Sequence, residues 1–263
     1  MSELVETWKQ AIRRYGDKDG ILTLEQKPRR LPALVEAYTP PGLSCLMTSG
    51  HAFLDREGFI VVDFRMVIAP GSDSAGNPRY WLSRRLGEQA RQAQHRDLYL
   101  PEGSQAQGVG RAMWSQALDL YEALGFVDLV ALKSTRIGRY ANIVPGLDFL
   151  KDDDRMAVAT AVSTVAEAAG IHVDSTSIRR PADILAIEGT TDLETLKRSE
   201  IAFSPETRFV DPKRIPVGKA ALLSEACPDW VGTLKLEPGA ESYERLCAYV
   251  GRDAPSPPPD VDL

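Results

Sequence analysis

The hexapeptide Gln105-Ala106-Gln107-Gly108-Val109-Gly110 is the stretch whose residue types and spacing could do chemistry. A strand-like run, Asp97-Leu98-Tyr99-Leu100, precedes it and ends at Pro101, and after it Met113, Trp114, Ala117, Leu118, Tyr121 and Leu124 recur at helical spacing. A chain that passes from strand to helix through glycines presents unpaired N–H groups at the positive end of the helix dipole, which suits a phosphate or diphosphate. Glycine keeps a Cβ from holding the ligand's oxygens off the backbone. No Gly-Lys-Ser/Thr follows, which excludes a P-loop, and Met113 stands where a dinucleotide-binding GxGxxG would have its third glycine. The alternative reading is a glycine turn that only lets helix and strand pack.

Other chemistry is sparse. Cys45, Cys227 and Cys247 form an odd set without CxxC spacing, and His51, His95 and His172 are scattered singly. This predicts reduced thiols, with neither a disulfide frame nor a metal site. Cys45 and Cys227 read as small buried apolar residues, Trp114 as core, His172 as a loop residue, and Glu241 and Glu244 as an exposed helix face.

The elements that must position the hexapeptide follow from period and punctuation. Leu4, Val5, Trp8, Ala11, Ile12 and Tyr15 predict an amphipathic helix capped by Ser2 and stopped at Gly16, and a shorter one spans Leu31 to Tyr38. The β-branched and aromatic run 59–68 predicts a strand, 71–78 a loop, and 80–86 a further strand, with 86–94 ambiguous. Beyond the hexapeptide, Val127–Leu132 predicts a buried strand and Arg136–Val144 a short helix. Strand, glycine turn, helix and strand make a βαβ unit whose strands need not be neighbours. Helices are then expected at 155–169, from Pro181 to Ile187, at 193–200 and at 241–250, with a late strand at 230–236.

The chain has 263 residues, 43% hydrophobic, and 37 acidic against 31 basic side chains. That is enough to bury a core without staples, and the net charge of -6 argues against a dedicated nucleic-acid binder. The absence of a long apolar run or of a cationic leader predicts a cytoplasmic protein with no membrane partner. The expected organisation is one α/β domain over 1–252, with a core at about 40–150 and 200–250, a helical insertion at about 151–200, and a disordered Pro/Asp-rich tail at 253–263.

The pattern Gln-x-x-Gly-x-Gly between that strand and the helix from Arg111 resembles the acyl-coenzyme A loop of the GNAT superfamily of N-acetyltransferases. The order that follows is similar too: Leu124-Gly125-Phe126 closing the helix, the strand 127–132, Gly138-Arg139-Tyr140 in the next short helix, and Pro145-Gly146-Leu147-Asp148-Phe149 opening another strand. The resemblance covers residues 59–150. It is faint over 1–58 and in the 230–236 strand, and absent over 151–225.

The resemblance implies a central mixed, mostly antiparallel sheet flanked by helices, and transfer of an acyl group, acetyl above all, from acyl-coenzyme A to a primary amine of a small molecule or peptide. The backbone of Gln107, Gly108, Val109, Gly110 and Arg111 would hold the diphosphate, with Gln105 helping through its side chain. Leu98, Tyr99 and Leu100 would pair with the pantetheine amides, and an N–H near Leu100 would polarise the thioester carbonyl. Attack by the amine is direct, without an enzyme-bound acyl group. A base is then needed for the ammonium and an acid for the leaving thiolate. Tyr140 is the expected acid, although the family's usual tyrosine position falls on Asn142, roughly 200° further round a helix. Asp97 is the preferred base, His95 the next and Asp63 the third. Arg136 and Arg139 are either contacts for coenzyme A phosphates or plain surface. The insertion is expected over the acceptor's entrance, selecting the substrate, and a homodimer is the expected form of any self-association. Two rival readings stay open: a catalytically silent acyl-coenzyme A binder or scaffold, and an enzyme whose acyl donor rides on a carrier protein.

Overall fold

The computed structural model describes residues 2–25, 30–40, 43–70, 80–99, 108–131, 139–140, 143–204, 207, 209 and 211–254. The chain is α/β, with a large, mostly antiparallel sheet flanked by helices, and it divides into two compact units. The described residues within 1–130, 235–240 and 250–263 form the first, and those within 131–234 and 241–249 the second.

In the first unit, helix α1 (Glu3–Tyr15) starts where Ser2 Oγ accepts a hydrogen bond from the Val5 N–H. Glu3 and Glu6 lie in its first turn and Arg13 and Arg14 in its last, each complementing the helix dipole. Strand β1 (Leu22–Thr23) and the single-turn helix α2 (Pro32–Glu36) follow. The long strands β2 (Leu43–Leu54), β3 (Ile60–Pro70), β4 (Tyr80–Gly87) and β5 (Gln92–Tyr99) then run antiparallel to one another. Helix α3 (Val109–Leu124) leads to β6 (Asp128–Ala131), and the strand order is β1-β2-β3-β4-β5-β6. The predicted βαβ unit is therefore present, and its two strands are neighbours.

Strand β2 was not anticipated. Ser44, Ser49, Gly50 and His51 dilute its β signature, and its ladder with β3, running from Leu43 opposite Pro70 to Leu54 opposite Ile60, decides the matter through pairing. Strand β5 likewise begins at Gln92, well before the predicted Asp97, because the edge of β4 fixes it from Gly87 onward. Ile60, Val62, Phe64 and Met66 of β3 and Leu82, Arg84 and Leu86 of β4 are buried on one face. Asp63 and Arg65 belong to the opposite, more solvated face, as expected where only one side of an antiparallel sheet carries the core. Trp8 and Ile12 of α1 and Leu118 and Tyr121 of α3 complete this core.

The second unit contains β7 (Asp148–Phe149), α4 (Asp152–Ala168), α5 (Pro181–Leu185), β8 (Thr190–Thr191) and α6 (Leu193–Arg198). It continues with β9 (Ile215–Pro216), α7 (Val217–Leu223), β10 (Gly232–Lys235) and α8 (Glu241–Val250), the last residues of β10 and α8 belonging to the first unit. Strand β10 pairs antiparallel with β7, and β8 with β9. Helix α4 starts three residues earlier than its apolar stripe predicts: Asp152, Asp153 and Asp154 form its first turn, where carboxylates are favoured, and Asp154 Oδ2 also accepts from the Val231 N–H at 3.0 Å. Helix α7 went unread in the sequence; it is short and nearly all buried. The predicted late strand contracts to β10. Residues 71–79, most of the predicted 136–144 helix and residues 255–263 of the expected tail lie outside the described residues.

Candidate functional site

A register shift in the first unit re-aims side chains at the junction of β5 and α3. Ser83 of β4 pairs with Asp97 of β5, but the next residue, Arg84, pairs with His95, so Arg96 is an extra residue on β5. Bulges of this kind bend a strand and redirect side chains. Here Arg96 turns to Asp63, with Nη1 2.9 Å from Oδ2, while Arg84 and His95 face each other across the ladder on the buried face.

Around that pair the sheet and helices bring together Tyr38, just beyond α2, and Trp114 and Tyr121 of α3. His95 Nε2 lies 2.6 Å from Tyr121 Oη, which lies 2.5 Å from Tyr38 Oη, making one hydrogen-bonded chain. The His95 ring packs 4.6 Å from that of Trp114, and the Arg84 guanidinium lies 5.9 Å from the centre of the Tyr38 ring. All are buried; Arg84 is only 4% exposed. Burial, and secondarily the charge of Arg84, holds the His95 pKa well below the ordinary histidine value, so the ring is neutral at neutral pH. Burial pushes Tyr121 up to about 12 and raises Tyr38 well above 10, so both hydroxyls keep their protons. The cluster thus holds one buried cation beside a chain of neutral groups that can pass protons or accept hydrogen bonds.

This cluster opens into a pocket. Tyr38, Arg84, His95, Leu98, Gly110 and Trp114 line it together with Met113 and Ala117, and it leaves a cavity of about 10 Å³, room for one water-sized group. Gly110 belongs to the first turn of α3, which opens at Gly108 with φ 78, the left-handed region that favours glycine. Gly108 has no side chain to cap this end, and no acidic residue lies in its first turn. A Cβ on Gly108 would meet no atom within 4 Å, so the space over this backbone is open.

Of the residues singled out in the sequence, His95, Leu98 and Gly110 line this one pocket, and Gly108, Val109 and Arg111 belong to the adjoining end of α3. Tyr99 pairs with Trp81 and Asp97 with Ser83 through the β4–β5 ladder. Leu100, Gln105, Gln107, Arg136 and Asn142 lie outside the described residues. Tyr140 belongs to the second unit, where Lys219 Nζ sits 5.0 Å from the centre of its ring. Arg139 is not the plain surface residue that one sequence reading allowed. It is buried in the second unit, ion-paired with Asp229 at 3.1 Å and donating to the Ser224 carbonyl at 2.9 Å. Cys227 is buried as expected, but Cys45, near the start of β2, is only half-buried.

Arg84, Tyr38 and Tyr121 were missed. Arg84 left a signal: Leu82, Arg84 and Leu86 share one strand face, which puts a charge into an apolar row. Tyr121 reads as one more core residue of its stripe, and nothing in the sequence marks Tyr38. Among the described residues, no group of three or more His, Cys, Asp or Glu side chains is placed to hold a metal ion, and no helix is long and apolar enough to cross a membrane. No protein-family model matches the chain, and no curated protein matches its sequence.

Proposed function

We propose that the chain is an N-acyltransferase similar to the GNAT superfamily, moving a short acyl group from acyl-coenzyme A to a primary amine. The observation that carries this reading is the pocket's position. It opens between the end of β5, at Leu98, and the first turn of α3, at Gly110, beside a glycine-opened helix end that suits a diphosphate. A chain laid from that helix end along β5 would bring a thioester to the mouth lined by His95.

In this reading the amine nitrogen attacks the thioester carbonyl, the carbon–nitrogen bond forms, the carbon–sulfur bond breaks, and the thiolate takes a proton. His95, hydrogen-bonded to Tyr121, is favoured over Asp97 as the group that accepts the ammonium proton, since it is the one of the two that lines the pocket wall. Tyr140, the acid that the resemblance implies, belongs to the second unit and is given no role at this pocket. A second reading, an acyl-coenzyme A binder without chemistry, is favoured by the deep burial of His95.

Titration of the full chain with coenzyme A, compared with Gly108→Val, tests the assignment. The new side chain would project into the open space over the helix end rather than into the protein, at a cost of about 1–2 kcal/mol for the left-handed backbone. A loss of affinity of about tenfold or more is expected; unchanged affinity in a folded variant overturns the reading. Release of free thiol from acetyl-coenzyme A with a panel of amines separates enzyme from binder.

A further inference from the structure

His95 and Tyr38, the two ends of the hydrogen-bonded chain, both line the pocket, and Tyr121 links them. A hydroxyl has one proton to give and two sites at which to accept. The Arg84 guanidinium, which only donates, is hydrogen-bonded to the Tyr121 side chain as well as to the Ser83 carbonyl, and so takes one of the two accepting sites of Tyr121 Oη. Tyr121 must then accept from one of its other neighbours and donate to the second.

The chain therefore has two arrangements. In one, His95 Nε2 donates to Tyr121, Tyr121 donates to Tyr38, and Nδ1 is the bare nitrogen of the ring. In the other, every proton of the chain points the opposite way and Nδ1 carries the ring proton. Passing one proton in at His95 and one out at Tyr38 turns the first into the second. Burial and the Arg84 cation disfavour a charged imidazole, and burial keeps both phenols protonated. Since no member of the chain holds a charge well, a proton taken up at one end must be given out at the other in the same event.

We infer that Tyr38 is the acid of the transfer, supplied with its proton by His95 through Tyr121. This role rests on the acyltransferase reading. A free amine, its first proton already left to water, attacks the thioester carbonyl with its lone pair, and the nitrogen, once bonded to carbon, is an ammonium. Its proton goes to His95 Nδ1, the Nε2 proton to Tyr121 Oη, the Tyr121 proton to Tyr38 Oη, and the Tyr38 proton to the sulfur, which leaves with the electron pair of the carbon–sulfur bond. Amide and thiol result and no charge stays on the chain, which exchange with water resets before the next turnover. Nitrogen and sulfur are attached to one carbon, so a single small opening serves both ends. Arg84 is a positioning residue, since its bond to Tyr121 allows the chain only its two one-way arrangements.

The test uses the full chain, acetyl-coenzyme A and the fastest amine of the thiol-release panel. Tyr38→Phe should lower kcat about a hundredfold while leaving the KM for acetyl-coenzyme A within about twofold. Tyr121→Phe, which cuts the chain at its middle, should do the same, and it carries the test should Tyr38→Phe fail to fold. The wild-type chain supplies a measurement that needs no variant. Because several protons move in one event, the single-turnover rate in mixtures of light and heavy water should fall along a curve as deuterium rises, and the residual rate of Tyr121→Phe along a line. Tyr38→Phe within about threefold of the wild-type kcat overturns the role, as does a wild-type rate that falls along a line. Failure of the acyltransferase reading looks different: no amine releases thiol with the wild-type chain, and reading and role then fall together.

Discussion

His95 is the residue on which both the site's chemistry and its stability turn. Its pKa is depressed in the folded chain by burial and by Arg84, while in the unfolded chain it returns to about 6.5. Between those two values the unfolded chain binds more protons than the folded one, so stability rises with pH there. The contribution is therefore fully present above about pH 6.5 and is lost as the pH falls toward the folded value, by at most about 1.4 kcal/mol per pH unit. Urea unfolding at pH 7.5, 6.5 and 5.5 should show that decline, and His95→Gln, which cannot titrate, should remove its share. A variant with the wild-type slope would place the dependence elsewhere. The sequence shows why His95 is easy to name and hard to interpret. A lone histidine on a strand reads as a base with an ordinary pKa, whereas its real properties come from Arg84 across the ladder and Tyr121 on the helix, and neither lies near it in sequence.

At the scale of elements, close approach rather than propensity fixes the second unit. Helix α7 carries Gly218 in its first turn, and a Cβ there would lie 1.9 Å from the Ile184 carbonyl oxygen at the end of α5. Nothing short of moving a backbone relieves such a contact. Gly218→Ala, which on propensity alone would favour an isolated helix by about 1 kcal/mol, should instead destabilise the chain by about 1–3 kcal/mol or more. A thermal melt with unchanged or raised midpoint would contradict the packing of α5 on α7. This contact also explains why α7 was illegible: a helix of seven residues has no room for a repeated stripe, and its glycine reads as a break. Helices α1, α3 and α8 were legible because each is long enough to repeat its apolar spacing and has a clear end, such as the Ser2 cap or the left-handed Gly125 that closes α3. Strand β3 was legible from its β-branched and aromatic run, and β4 from its Tyr80-Trp81-Leu82 start. The bulge that makes the site was not, since a register shift between two strands is a property of the pair and leaves no mark on either sequence.

At the scale of the whole molecule, each compact unit carries a core of its own. In the first, Leu118 and Tyr121 of α3 are fully buried with Phe64, Met66 and Leu82 of the sheet; in the second, Val158, Val162 and Val165 of α4 are buried with Ile184, Ala220 and Leu222. A buried leucine cut to alanine removes apolar contact and leaves a void, at about 2–5 kcal/mol in either place. If each core stabilises its own surroundings, the loss is local before it is global. Hydrogen exchange resolves this. Leu118→Ala should speed the exchange of amides in α3 and in β3 to β5 by about tenfold or more, and Leu222→Ala should do so in α4 and α7, with the other unit's slowest amides changing less in each case. Uniform acceleration of every slow amide by both variants would mean that the chain opens as one cooperative body, and the two cores would then be a division of contacts only. The selective result would have a consequence for the site. Arg84, His95, Tyr38, Tyr121 and Gly110 all lie in the first unit, so Leu222→Ala should leave the affinity for coenzyme A near the wild-type value while Leu118→Ala, one helical turn from Trp114 and Tyr121, weakens it.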